Sequence, residues 1–315
     1  MLSNLLPMRK AKLPEYGTPE AEEEINLFRS LSTTGRADRA KKLGFKSPGS
    51  YTRSMYMLGA AKVPMSYSLK YNRAPVIKES CLVIADTQIP YHDADFLNRL
   101  LDLAVAWGIK QAISGGDFLN MTAFSIFGQK PEEKVWSKER DCAMEVMASL
   151  GAAIESWLLL MGNHEVRLIK AVAEQFEMID ILALLKGPIG FKGTDYYWCE
   201  VKLGGEKWRI SHPRNTSVIH GRIPQRLCEK FHANIASGHG HLSGMTPDYS
   251  NEFTACDIGI TCDPLRLDYY AQRDSIRPAM CQGALILMLS DDGKCHPWHI
   301  DPRHADWEAL KKCYP

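Results

Sequence analysis

Five short blocks of this chain carry side chains that could do chemistry together. "CLVIADTQIPYHD" ends an apolar run in Asp86 and follows it with Gln88. "GGDFLN" supplies Asp117 and Asn120, "GNHE" supplies Asn163 and His164, "SHP" supplies His212, and "SGHGHLSG" supplies His239 and His241. Carboxylate, amide oxygen and imidazole suit Mn²⁺, Fe²⁺ or Zn²⁺ better than a soft thiolate metal, and no cysteine joins the set. His239 and His241 stand two apart, so an extended segment would place both on one face. They could then serve two ions ~3.5–4 Å apart. Gly238 and Gly240 leave room for a tight backbone bend beside them.

Each block closes a candidate element. The strands "SCLVIAD", "KQAISGGD" and "SWLLLMGN" alternate with the helical stretches "DADFLNRLLDLAVAWG" and "SKERDCAMEVMASLGAAI". A long helical segment is expected over 166–187. A hairpin turning at Gly204-Gly205 and the helical "RIPQRLCEKFHAN" follow, and the last third is strand-like. This order predicts an α/β fold, a layered β-sandwich flanked by helices. Open α/β sheets bind ligands beyond the carboxyl ends of their strands. If the strands share one sheet, the five blocks therefore face one crevice.

Composition narrows the class. The chain has 315 residues, 45% hydrophobic and 24% charged, which is ordinary for a soluble globular protein. No apolar run approaches the ~18 residues of a membrane span. The start lacks the basic-then-apolar order of a signal peptide, so a cytoplasmic location and no membrane partner are expected. Nine scattered cysteines without a Cys-x-x-Cys pair read as reduced thiols. The net charge of +1 hides an asymmetry: residues 1–75 hold 13 Lys/Arg against 6 Asp/Glu, leaving 25 against 31 in 76–315. A small basic helical domain and linker over 1–75, joined to an acidic body over 76–315, is the expected organisation, with nucleic acid the first partner to consider.

The order D-x-[H/Q], G-D-x-x-[D/N], G-N-H-[E/D], H, G-H-x-H resembles the calcineurin-like metallophosphoesterase superfamily, and it spans residues 86 to 241. The resemblance implies that fold and a metal-dependent phosphoesterase activity. It implies that Asp86, Asp117 and His241 hold one divalent ion and that Asn163, His212 and His239 hold a second, with Asp117 bridging. His164 would contact the scissile phosphate and act as general acid. Asn120 would support the ligands from behind. The implied reaction is in-line hydrolysis by water that two ions activate, Mn²⁺ first, with Fe²⁺, Zn²⁺, Ni²⁺ or Mg²⁺ as alternatives.

One residue departs from the pattern. Most family members have His where this chain has Gln88; a branch acting on nucleoside diphosphate compounds also has Gln there. Gln88 is read as a neutral oxygen ligand to the first ion that shifts preference toward Mn²⁺. His92 and Arg167 are candidates to touch substrate, as a loop imidazole and a phosphate clamp. His220 and His232 read as helix-flanking, and His296 and His299 as structural.

Within the basic segment, "RADRAKKLGF" and "KSPGSYTRSMYML" resemble a helix-turn-helix, with Ala40 and Gly44 at the spacing that closes the turn. Arg39, Lys41, Lys42, Lys46, Ser50, Tyr51 and Arg53 are the candidate DNA-binding residues, alongside Ser47 and Thr52. Three functions follow. The first is a phosphodiesterase acting on DNA, a nuclease of phage-type phosphoesterase character. The second is a small-molecule nucleotide phosphodiesterase, diphosphatase or phosphatase, acting on a phosphoester such as a cyclic or diphosphate nucleotide. The third is a DNA-binding protein with an inactive phosphoesterase body. Residue types do not fix an oligomeric state.

Overall fold

Thr18 caps helix α1 (Pro19–Ser30) by accepting from Ala21 N at 3.3 Å, and Pro19 opens its first turn. Ser32 caps α2 (Thr33–Lys42) through Gly35 N at 3.2 Å. A reciprocal capping box between Ser47 and Ser50 starts α3 (Pro48–Met57). The turn between α2 and α3 passes through Gly44 at φ 80°, a conformation glycine adopts without strain. Phe28, Ala40, Tyr51, Met55 and Leu58 enclose a small core of their own. Leu27 of α1 is 38% exposed, while Ala21, Glu24 and Phe28 are buried.

The chain is described here from a computed structural model covering residues 13–15, 18–58, 73–125, 135–172, 175–267 and 280–313. It divides into two compact units, 1–73 and 74–315. Among the described residues, the larger unit holds two six-stranded sheets, the layered arrangement the sequence led us to expect. One sheet contains β1 (Val76–Ile77), β6 (Trp198–Leu203), β7 (Glu206–Ser211), β8 (Asn234–Ser237), β10 (Thr254–Ile258) and β9 (Ser243–Pro247), in that spatial order. The other runs β12 (Cys295–Ile300), β11 (Ala284–Leu289), β2 (Cys81–Ile84), β3 (Gln111–Ser114), β4 (Ser156–Leu159) and β5 (Phe191–Gly193). Strands β2 to β5 are parallel, and β11 and β12 add on antiparallel. In the first sheet β7, β8 and β10 are mutually parallel.

Alternation along β2 explains the sandwich. Cys81, Val83 and Ala85 pack with Val201, Trp208, Ile210, Ala236 and Ile258 of the opposite sheet. Leu82 and Ile84 face the other way, into a core shared with helices. Those helices are α4 (Ala94–Ala106), α5 (Trp136–Ala153), α6 (Glu165–Ala171) and α7 (Met178–Leu184). A strand covered on both faces reads as an unbroken apolar run, which is why its sequence shows no alternation. On the far side of the first sheet, Cys228 of α8 (Arg222–Phe231) packs on Ile235 and Ala255. The chain's last helix, α9 (Trp307–Lys312), accepts the Trp107 indole N–H at the Leu310 carbonyl, 3.0 Å away.

The expected hairpin is present, with Gly204 and Gly205 both at positive φ as a tight two-residue turn requires. The single long helix expected over 166–187 is two short ones. Glu177 and Asp180 form a capping box that starts α7 afresh, and Met178 N donates to Asp195 Oδ1 at 2.9 Å. Among the described residues no helix is long and apolar enough to cross a membrane, and all nine cysteines are free.

Candidate metal centre

Parallel pairing of β2, β3 and β4 brings their carboxyl ends to one edge. Asp86, Asp117 and Asn163 stand shortly beyond those ends, in the loops that follow Ile84, Ser114 and Leu159. The opposite sheet delivers His212 immediately after β7 and His239 two residues after β8. One shared sheet was the condition under which the five blocks were expected to face one crevice; they come from two sheets, and the sandwich brings the ends together.

Hydrogen bonds cross between the sheets at this edge. Asp86 Oδ2 accepts from His239 N at 2.9 Å, and His241 Nε2 lies 3.2 Å from Asp86 Oδ1. Asp117 Oδ2 is 3.4 Å from His212 Nε2 and 3.6 Å from His164 Nε2, while its Oδ1 accepts from His164 N at 2.8 Å. His212 Nδ1 donates to the Gly115 carbonyl at 2.9 Å, which aims Nε2 at Asn163 Oδ1, 3.1 Å away. Gln88 Nε2 lies 3.3 Å from His241 Nε2. Ligand atoms of Asp117, His212 and His239 all fall within 4.8 Å of one another, the spacing of residues around one ion.

The backbone is bent to achieve this. Asp86, Gln88, Asp117, His239 and His241 all have φ between 47° and 68°. Non-glycine residues in this region are strained by roughly 1–3 kcal/mol each and persist where surroundings over-determine them. Glu165 is one such determinant. Its buried carboxylate accepts from Asp117 N at 3.1 Å, Leu119 N at 3.0 Å and Gly162 N at 2.9 Å, binding two of the motif loops to each other. Glu139 of α5 does the same one turn on, accepting from Met121 N and Thr122 N at 2.5 and 3.0 Å. Neither role was read from the sequence. Glu165 stands inside "GNHE", but its partners lie up to 48 residues away.

Burial tunes the charges. It pushes Glu139 up to about 7 and, together with the Asp117 charge, pushes Glu165 up to about 7 as well. Burial would also raise Asp117, yet the imidazoles of His164 and His212 hold it well below the ordinary carboxylate value. Burial lowers His164 to about 4 against the pull of Asp117. His212 goes the other way: burial disfavours its charge, but Asp117 beside it holds the pKa up at about 10.

The donor set fits a divalent cation. Asp86 Oδ1 and Gln88 Oε1 are buried and accept no hydrogen bond. Such orphaned acceptors cost about 1–3 kcal/mol each unless something satisfies them. Turning the Gln88 amide exchanges its oxygen and nitrogen, so the oxygen can face the same point as His241. Gly238 keeps the approach open, since a Cβ there would sit 2.8 Å from Asp86 Oδ2.

The remaining expected residues are placed as follows. Asn120 is buried, donates to Thr122 Oγ1 at 2.6 Å and leaves Oδ1 without a partner. Arg167 donates to the Asn120 carbonyl at 2.8 Å, so that donor serves the loop. His92 forms a β-bridge with Cys262, and burial with help from Arg266 lowers its pKa. His232 ends α8 in the left-handed conformation, and His220 Nε2 bonds the Ser243 carbonyl at 2.8 Å. In the small unit, Lys41, Lys42, Lys46 and Arg53 are exposed. Three expected DNA contacts are engaged elsewhere. Tyr51 is fully buried and donates to Glu24 Oε1 at 2.7 Å, and Arg39 pairs with Glu24 at 2.5 Å. The Ser50 hydroxyl is held in the capping box, donating to the Ser47 carbonyl at 2.8 Å.

No protein-family model and no curated protein matches this chain. Among solved structures it is similar to Yfce, a phosphoesterase from E. coli, at 14% identity and a TM-score of 0.36, over 70% of this chain and 98% of that one. Vps29 from Entamoeba histolytica, solved with zinc, is similar at 13% identity and a TM-score of 0.35, with coverages of 70% and 98%. Vacuolar Protein Sorting 29 from Cryptosporidium parvum gives 13% and 0.36, with coverages of 71% and 98%. Within this chain itself, five motif blocks in order converge where two mixed sheets meet.

Proposed function

We propose that the body is a two-metal phosphodiesterase and that its substrate is DNA. The observation that carries the hydrolase reading is the convergence of Asp86, Asp117, His212, His239 and His241, with buried acceptor atoms on Asp86 and Gln88 left unsatisfied. Asp86, Gln88 and His241 would hold one ion, Asn163, His212 and His239 the other, and Asp117 both. Bound there, such ions polarise phosphoryl oxygens and acidify water.

The chain's own residues supply the rest. The Gly115 carbonyl fixes the His212 tautomer and so the direction of Nε2. Glu165 holds the Asp117 and Gly162 loops in register. His164, neutral at pH 7 in the free chain, would gain its proton beside an anionic phosphate and pass it from the imidazole to the leaving oxygen. Asn120 would orient that imidazole or the substrate through its unpartnered Oδ1. The substrate class rests on the charge of residues 1–75 and the helix-turn-helix-like order of α2 and α3.

The test is hydrolysis of bis(p-nitrophenyl) phosphate and of plasmid DNA with Mn²⁺. Cleavage of both, lost with EDTA, supports the reading. Cleavage of the small diester alone moves the substrate to a nucleotide. With neither cleaved and metal shown to be bound, the inactive-body alternative stands.

A further inference from the structure

In α3, Tyr51, Met55 and Leu58 recur at helical spacing and are buried, so they fix which side of the helix faces its own core. Gly49, Arg53 and Tyr56 occupy the opposite side and are exposed, with Thr52 half-buried at its margin. Tyr56 is 51% exposed, with its ring edge-on to Phe28 of α1 at 6.0 Å between centroids, so it stands at the border of the outer face. Lys41 and Lys42 at the end of α2 and Lys46 in the turn are exposed as well. From Thr33 to Leu58 the chain holds six Lys/Arg and a single acid, Asp38. The exposed acids Glu20, Glu22 and Glu23 belong instead to α1.

From this separation we infer that the outer face of α3 enters the major groove of double-stranded DNA. Arg53, Thr52 and Tyr56 meet base edges, and Lys41, Lys42 and Lys46 bind the flanking phosphates. This deepens the nucleic-acid reading above and rests on it for the substrate class. It also changes the residue set: Arg39, Ser50 and Tyr51 build the unit, Thr52 and Arg53 remain, and Tyr56 joins them. Major-groove width admits a helix presenting side chains of this length. The deep, narrow major groove of A-form RNA does not, which selects DNA between the two duplexes. Gly49 lets the first turn of α3 approach closely, since a Cβ there would meet only Ser47 Oγ at 3.8 Å.

The experiment is fluorescence anisotropy of the full-length chain in EDTA, across a salt series, with duplex DNA, duplex RNA and single-stranded DNA. Without metal no strand is cut, so binding is read independently of hydrolysis, and turnover of the small diester reports on the phosphodiesterase reading separately. Duplex DNA should bind with an affinity that falls steeply with salt. Lys41→Glu with Lys42→Glu should weaken binding about tenfold or more and flatten the salt slope, and Arg53→Ala with Thr52→Ala should weaken it about tenfold. Arg29→Glu on α1, a charge reversal on another helix, should have a much smaller effect. The neutral pair guards against a charge reversal that unfolds the unit, and circular dichroism checks each variant. Wild-type binding equal for duplex RNA or single strands would overturn the inference. So would α3 variants that bind duplex DNA like wild type, or no binding to duplex DNA at all.

Discussion

Asp117 is where contacts from both sheets meet. It faces two imidazoles, accepts a backbone N–H and sits at φ 51°. Asp117→Asn should therefore reduce bound Mn²⁺ from two ions toward none, as read by metal analysis after gel filtration. His164→Ala should slow turnover by about a hundredfold or more while metal content survives. Loss of metal together with activity would make His164 a ligand instead. His212 adds a pH dependence. Its pKa is raised, so in the metal-free chain it carries a proton at neutral pH. An ion needs that lone pair, so uptake must release the proton and apparent affinity must strengthen as pH rises. Calorimetric titration with Mn²⁺ in buffers of different ionisation enthalpy would show the release. Titrations at increasing pH that leave the affinity unchanged would contradict it. These ligand residues were legible in the sequence because their types and order are chemical facts. Their left-handed backbone was not, since nothing in "DTQ" or "GHGH" distinguishes a strained turn from an ordinary loop.

The elements position those residues through carboxylates outside the ligand set. Glu165 satisfies three buried N–H groups, so Glu165→Ala would orphan them at about 1–3 kcal/mol each. Gly162 is as tightly constrained: a Cβ there would lie 2.2 Å from Asp117 N. Gly162→Ala should cost at least ~1–3 kcal/mol and displace Asp117, seen as a lower melting temperature together with weaker Mn²⁺ binding. Apolar runs and turn glycines made β2, β3, β4 and the β6–β7 hairpin readable in the sequence. The layered sandwich was expected from the order of elements, but which strands join which sheet was not readable, because a doubly covered strand has the same unbroken apolar pattern whichever layer lies above it. The break between α6 and α7 was hidden for a related reason. Both halves carry apolar residues at helical spacing, and the reciprocal Glu177–Asp180 cap that starts the second leaves no mark in that pattern.

For the whole molecule, the two units have separate cores, and all seven tryptophans lie in the larger one. Met55→Ala should cost about 2–5 kcal/mol in the small unit. Amide exchange across residues 18–58 should then accelerate while the tryptophan fluorescence melt stays unchanged. Acid should act on the small unit through Glu24. Its pKa is lowered mainly by the Arg39 hydrogen bond, so its contribution is present above the ordinary value of 4.5 and lost as pH falls through the lower folded one. Glu24→Gln should flatten that part of the acid profile. The charge asymmetry that suggested two units was legible in composition alone. Which basic-segment residues remain available was not, because Arg39 and Tyr51 meet Glu24 across 15 and 27 residues of sequence.

The central claim is metal-dependent phosphodiester hydrolysis at the edge where the two sheets meet. Its most direct test is the rate of bis(p-nitrophenyl) phosphate hydrolysis by metal-stripped protein titrated with Mn²⁺, run beside Asp117→Ala. Activity should rise with added metal to a plateau near two equivalents and be absent in the variant. A wild-type protein that binds Mn²⁺ yet hydrolyses no faster than Asp117→Ala would contradict the account.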